Sequence, residues 1–385
     1  MIQKQEREQN VEFPLDTAKT MSVSADIPII DLSGPQDDVA RQLVDAAEKH
    51  GFIYIRNLGK DIGPDAIDEA FELSEKIFDS PLEEKQRCTI QTNNRGWSAM
   101  HSETLDPSSQ KVGDYKEAFN FGEFIDGKAQ QPLPSPVAPY EPRFNLFSDL
   151  CHDLSRRILH LLGLGLGVSS SLLLCSPKRI LTDHVKQIDD FFSSAHQTSS
   201  GASSSILRFL RYPPTTSTSH SPGDVRAGAH SDYGSITLLF RLRGQAGLEI
   251  LKGDNITWAP VPVSPPGTEN DPSPPILVNI GDLLSYWTNG LFRSTVHRVV
   301  FDQDSAAVAG DAVASTPRYS IAFFCHPAGS TTLGTVPSER VRSFNPAEGT
   351  ASANPYAERK VLTADEHLHM RLKASYGALY DDDKS

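Results

Sequence analysis

Apolar residues in the first part of the chain recur at helical spacing, and after residue 206 they recur in short runs instead. Asp37 to His50 places Val39, Leu43, Ala46 and Ala47 on one face. Gly51 ends that helix before a buried strand, Phe52-Ile53-Tyr54-Ile55. Pro64 to Asp79 predicts a second amphipathic helix, and Pro81 suits the first turn of a third. Ile27–Leu32 predicts a short opening strand, and Arg95–Trp97 and Asp114–Gly122 are two strand-like pieces around a polar loop. Arg143 to Leu164 carries Phe147, Leu150, Leu154, Ile158, Leu161 and Leu162 on the apolar face of a long helix. From Ile206 the pattern predicts strands over Ile206–Tyr212, Gly228–Phe240, Leu248–Leu251, Ile256–Val261, Ile276–Ile280, Leu284–Tyr286, Arg293–Val300 and Arg318–Phe324. Gly-, Pro- and Asp-rich turns separate them, which implies a sandwich or barrel. Thr363 to Tyr376 predicts a last helix, with Thr363 as N-cap and Glu366 three residues on.

These patterns divide the chain into a non-periodic tail over 1–26, a helical and β region over 27–165, an atypical serine-rich insert over 166–205, a β core over 206–330 and a helical C-terminal segment over 331–385. The class expected is α+β with a mainly β core.

Composition narrows the partners. A formal charge of −13 argues against a nucleic-acid backbone or an anionic membrane as partner. Cys88, Cys151, Cys175 and Cys325 are scattered without paired ligand spacing, which fits reduced thiols better than a disulfide framework or a zinc site. No signal-like core or bilayer-length apolar run is present, so a soluble cytoplasmic protein is expected, with no obligate protein partner.

Candidate chemistry begins at Ala229-His230-Ser231-Asp232-Tyr233. On a strand, residues two apart share a face, so His230 and Asp232 would aim an imidazole and a carboxylate at one point. A polar pair at a strand entrance has the same spacing. A second run, Leu291 to Val300, carries His297 among apolar and β-branched neighbours. Two histidines and a carboxylate on neighbouring strands are what non-haem Fe(II) needs while keeping positions open for other ligands. In Pro317-Arg318-Tyr319-Ser320, Arg318 and Ser320 share a face, and a buried guanidinium there fits a carboxylate bidentately. An internal salt bridge or a rim arginine would read the same way. His50, His101, His152, His160, His220, His326, His367 and His369 are read as surface or satisfied core histidines.

His-x-Asp, a distant His, then Arg-x-Ser resembles the Fe(II)/2-oxoglutarate-dependent dioxygenases of the isopenicillin N synthase-like branch, with fungal thymine dioxygenase-like members nearest in pattern. Arg95–Trp97, Asp114–Glu117, Asn279–Asp282 and Thr295–Val299 extend the match. The resemblance implies a double-stranded β-helix (jelly roll) with N-terminal and flanking helices. It implies iron ligands at His230, Asp232 and His297, and 2-oxoglutarate binding at Arg318 and Ser320, with Tyr212 joining or serving as a core tyrosine. It also puts Arg208, Tyr233 and Phe324 toward a small-molecule substrate, each with an alternative as a barrel-lining residue. The activity implied is hydroxylation or desaturation with O2, releasing succinate and CO2, in catabolism or secondary metabolism.

The alternatives are a same-fold oxidase that does not use 2-oxoglutarate, a non-catalytic small-molecule binding protein, and, less favoured, a zinc hydrolase, for which no separate base or nucleophile motif appears. Two departures from the pattern stand out. Val263–Pro275 reads as a turn extension that leaves the ligand strands intact, and residues 168–187 read as a translated intron, in frame and without amphipathic pattern.

Overall fold

A computed structural model describes residues 24–167, 191–214, 224–301, 316–344 and 360–380. The segment expected to be a translated intron, 168–187, lies outside these, as do residues 1–23 of the expected tail. Strands β1 (Ile29–Ile30) and β2 (Phe52–Ile55) flank helix α1 (Gln36–Lys49). Helices α2 (Pro64–Phe78) and α3 (Leu82–Arg87) lead to β3 (Gly96–Ser98), β4 (Glu117–Phe121), the long α4 (Glu141–Gly167) and the short α5 (Phe191–Ala195). The β core then runs β5 (Ile206–Tyr212), β6 (Val225–His230), β7 (Ile236–Arg241), β8 (Leu248–Leu251), β9 (Trp258–Pro260), β10 (Ile276–Ile280), α6 (Asp282–Trp287), β11 (His297–Val300) and β12 (Arg318–Cys325). Helices α7 (Glu339–Ser343) and α8 (Ala364–Tyr380) close the chain.

Two sheets face each other, one in the order β1-β2-β10-β7-β12-β5-β4-β3 and the other β6-β11-β8-β9. Alternation along the strands decides which side chains meet between them. On β12, Tyr319, Ile321, Phe323 and Cys325 enter a core shared with the helices, while Arg318, Ser320, Ala322 and Phe324 line a cavity between the sheets. Strand β5 repeats this, with Leu207 and Phe209 in the helical core and Ile206, Arg208, Leu210 and Tyr212 on the cavity.

Helix α4 is held to the sheet by aromatic packing. Phe144 stacks on Phe121 at 4.7 Å and meets Phe209 edge-on at 5.5 Å, all three fully buried. The last helix forms by the expected capping box: Thr363 N–H donates to Glu366 Oε2 at 2.7 Å, and Glu366 N–H to Thr363 Oγ1 at 3.2 Å.

Two sequence expectations change. The run Gly228–Phe240 is two strands in different sheets, because the chain leaves one sheet after His230 and joins the other at Ile236. Leu284–Tyr286 is helical, part of α6, since a short run buried on every side has no period to separate strand from helix. The extension over Val263–Pro275 does sit between β9 and β10, and β10 keeps full register with β7 from Leu277 opposite Leu239 to Ile280 opposite Ile236. No helix among the described residues is long and apolar enough to cross a membrane.

Candidate active site

Strands β6 and β11 pair antiparallel with His230 opposite His297, so the two rings lie side by side at 4.4 Å between centroids. Asp232 is two residues past the end of β6, on the segment that crosses to β7. The expected shared strand face is therefore not what unites His230 and Asp232; the turn of the chain is. One ligating atom from each of His230, Asp232 and His297 lies within 4.8 Å of the others. Asp232 Oδ1 is 3.8 Å from His230 Nε2 and 3.7 Å from His297 Nε2. The opposite ring nitrogens are engaged by the backbone, His230 Nδ1 with Gly228 O at 2.7 Å and His297 Nδ1 with Thr295 O at 3.2 Å. A carbonyl only accepts, so both Nδ1 atoms carry the proton and both Nε2 lone pairs face the common point.

The carboxylate is fixed as tightly. Asp232 Oδ2 accepts from Thr237 Oγ1 at 2.6 Å and from Asn279 Nδ2 at 2.7 Å, leaving Oδ1 toward the histidines. The crossing segment also caps α6: the N–H groups of Asp282 and Leu283 donate to the carbonyls of Asp232 at 2.7 Å and Tyr233 at 3.2 Å. This contact requires glycine at 281, where a Cβ would stand 2.2 Å from Gly234 O. Burial, with help from His297, pushes His230 down to about 4 against the pull of Asp232. Burial raises Asp232, but His297, His230 and the two hydrogen bonds outweigh it and hold the carboxyl below its usual range. At neutral pH the cluster thus offers a neutral imidazole and a carboxylate, the states a metal requires.

Deeper between the sheets, Arg318 is 4 % exposed. Its Nε donates to Ala246 O at 2.8 Å, and its guanidinium lies 4.7 Å over the Tyr212 ring. Its Nη1 is buried with no hydrogen-bond partner. Burial draws its pKa down and Tyr212 opposes this. A buried guanidinium with an open nitrogen in a cavity wall calls for an anion. Ser320 and Tyr212, both buried, line the same stretch of wall, Tyr212 directly opposite Arg318 in the β5–β12 register.

Arg208, Tyr233 and Phe324 line the outer part of the same cavity, whose volume is about 290 Å³. Arg208 Nη2 is held by both oxygens of Glu103 at 2.5 Å. Glu103 also pairs with Lys116 at 3.1 Å, and Lys116 with Asp114. Burial raises the Glu103 carboxyl, but Arg208 and Lys116 overcome it and hold Glu103 far below the usual carboxylate range. His326, expected to be a surface or satisfied core histidine rather than a ligand, is buried at 6 % exposure and lines the cavity, pushed down to about 4 chiefly by burial. Leu368 and Leu372 of α8 complete the outer wall, and Arg371 ties that helix to Asp282 at 2.7 Å.

The chain is matched over residues 27–140 by the model of the "non-haem dioxygenase in morphine synthesis N-terminal" region, and over 203–327 by that of the "2OG-Fe(II) oxygenase superfamily". It is 32 % identical over 360 residues to UPF0676 protein C1494.01 of Schizosaccharomyces pombe, covering 92 % of this chain and 94 % of that one. The chain belongs to the 2OG-Fe(II) oxygenase superfamily. A second relative, the 2-oxoglutarate-dependent dioxygenase gloF of Glarea lozoyensis, is 30 % identical over 72 % of this chain and 78 % of its own length. Among solved structures, the full-length thymine-7-hydroxylase of Neurospora crassa in complex with alpha-KG and thymine superposes with a TM-score of 0.66 at 27 % identity, covering 91 % of this chain and 97 % of that one. This oxygenase therefore is an Fe(II)- and 2-oxoglutarate-dependent oxidoreductase with a jelly-roll core, and O2 is its co-substrate.

Several residues that shape the oxygenase site escaped sequence reasoning. Asn279 had a signal, an amide in the otherwise apolar run Ile276–Ile280. Lys116 lay inside the matched run Asp114–Glu117 without a role assigned to it, and Glu103 and the leucines of α8 had no signal, because only the tertiary fold brings them to the barrel mouth.

Proposed function

We propose that His230, Asp232 and His297 hold the iron, that Arg318, Ser320 and Tyr212 hold 2-oxoglutarate, and that the enzyme hydroxylates or desaturates a small molecule placed among Arg208, Tyr233 and Phe324. The observation that carries this reading is the pairing of a three-ligand cluster with a buried, incompletely bonded Arg318 in one cavity. Bound together, iron and 2-oxoglutarate supply the oxidising power for O2 chemistry, with release of succinate and CO2. The chain's own work is positional. The backbone carbonyls of Gly228 and Thr295 set the two imidazoles, Thr237 and Asn279 aim Asp232 Oδ1, and Arg318 neutralises one carboxylate of the keto acid in a wall that excludes water. Fit of the residues to the groups is supported by the donor set itself, two imidazoles and one carboxylate with further coordination positions left open.

Residues 206–330 would form the catalytic jelly roll, 27–165 its N-terminal support and 331–385 its outer cover. A small organic substrate is supported by the cavity of about 290 Å³ and by the thymine carried by the Neurospora relative. A reducing compartment such as the cytoplasm is supported by Cys88, Cys151 and Cys325, all buried and free. The same-fold oxidase reading would require a carboxylate of the substrate itself to pair with Arg318.

The test is conversion of 2-oxoglutarate to succinate by iron-loaded protein in air. Succinate formed in proportion to oxidised substrate supports the proposal. Oxidation of a substrate without succinate would establish the oxidase, and no turnover with any substrate would favour the binding protein.

A further inference from the structure

The outer half of the cavity contains three cations and, behind them, two carboxylates. Arg208 and Lys116 are matched by Glu103 and Asp114. Arg95, which also lines the cavity, makes no ion pair or side-chain hydrogen bond among the described residues, and its Nε is buried without a partner. At the iron end, the metal and Arg318 would offset Asp232 and the two carboxylates of 2-oxoglutarate, with Arg241 buried behind them on the carbonyls of Val261 and Pro262. Of the cations that line the outer half among the described residues, Arg95 is the one without a carboxylate partner, in a chain whose formal charge is −13.

Arg95 is also built into place. Its backbone N–H donates to Asn93 Oδ1 at 3.1 Å, and it immediately precedes β3. Its guanidinium lies against the backbone at Gly122, where a Cβ would stand 2.3 Å from Arg95 Nε. Any residue but glycine at 122 would push the guanidinium away. A cation held against a glycine in a cavity wall, with a buried nitrogen unbonded, has the form of an anion subsite.

We propose that Arg95 binds an acidic group on the prime substrate, so that the enzyme oxidises a small carboxylic acid, or an equivalent anion, rather than a neutral molecule. The inference rests on the oxygenase reading above and names its substrate class. A monoanion at Arg95 would neutralise the outer half of the cavity as 2-oxoglutarate neutralises the inner half. It would place the acid at the mouth and the carbon skeleton along Phe324 and the leucines of α8.

The test uses full-length protein loaded anaerobically with Fe(II) and 2-oxoglutarate. The probes are a panel of small aromatic and aliphatic carboxylic acids, each paired with its primary amide. Binding is read from the perturbation of the visible band of the loaded enzyme, which needs no turnover. Wild type should bind its preferred acids about tenfold or more tightly than the matched amides, the scale of a charge-assisted hydrogen bond. Arg95→Gln should erase that preference while leaving the band itself intact, and Arg95→Lys should restore part of it. Equal affinity for acid and amide, absence of acid binding, or an unchanged preference in Arg95→Gln would each overturn the proposal. A missing band in wild type before any probe is added would instead overturn the oxygenase reading on which it rests.

Discussion

At the iron end of the cavity the functional side chains come from paired strands or the tight crossing between them, whereas at the outer end the strand residues Arg208 and Phe324 are joined by Arg95 and Glu103 from loops and by Leu368 and Leu372 from a helix that follows the barrel. Polar satisfaction differs in the same way. Around the triad the backbone and Asn279 and Thr237 fix every non-ligating polar atom of the three side chains. At the mouth an ion-pair chain, Asp114–Lys116–Glu103–Arg208, reaches from a loop to β5. Sheet register thus secures the chemistry, and the outer elements can vary to suit a substrate without disturbing it.

The largest effect should come from breaking the inner end. Asp232→Ala removes a ligand and should lower both iron retention and succinate formation by more than about 100-fold, beyond the range for a supporting residue. Circular dichroism should show the fold intact, since Thr237 and Asn279 lose only a shared acceptor.

At the outer end the expected cost falls on stability. Glu103→Gln strands Lys116 and Arg208 with a reduced counter-charge, and chemical denaturation should show a loss of about 3 kcal/mol. Iron binding should survive. Loss of iron affinity equal to that of Asp232→Ala would contradict the division between the two ends.

A smaller change sharpens the inner end further. Asn279→Ala deletes one of the two hydrogen bonds that aim Asp232, and iron affinity should fall about tenfold, measured by metal competition. The smallest effect is a pH slope beneath the crossing segment. His196 is fixed between Phe192 O at 2.6 Å and Ser235 Oγ at 2.8 Å, and burial pushes it down to about 3 from 6.5. Between those values the unfolded chain holds the extra proton and the folded chain does not. Stability should therefore fall as pH drops through that window, with this residue contributing a slope of about 1 kcal/mol per pH unit. His230 and His326 add to the same limb, so His196→Gln should lower its slope by about that amount in urea titrations run at successive pH values.

The same division governs how much could be read from sequence. Strands β5, β8, β10 and β12 were legible because alternation or an unbroken apolar run marks them, and Arg318 and Ser320 were legible as residues two apart on one of them. His230 and Asp232 were legible as a pair but for the wrong local reason: the sequence pattern runs on through a point where the chain changes sheets, because residues on both sides are buried. Helix α6 was missed because Leu283, Leu284, Tyr286 and Trp287 are all buried and leave no polar face. His326 is buried and outside the triad, and nothing in the sequence tells whether such a histidine faces a cavity or the packed core. Glu103 and Arg208 are 105 residues apart, and no local rule pairs them.

The central claim is that this cavity holds iron at the triad and 2-oxoglutarate at Arg318. Anaerobic titration of the apoprotein with Fe(II) and then 2-oxoglutarate tests it directly, through the weak visible charge-transfer band of the keto acid on iron, with Arg318→Ala measured beside the wild type. The account predicts that the band appears in wild type and that the substitution weakens 2-oxoglutarate binding by about 100-fold while iron still binds. Iron binding without the band, or an unchanged 2-oxoglutarate affinity in Arg318→Ala, would contradict it.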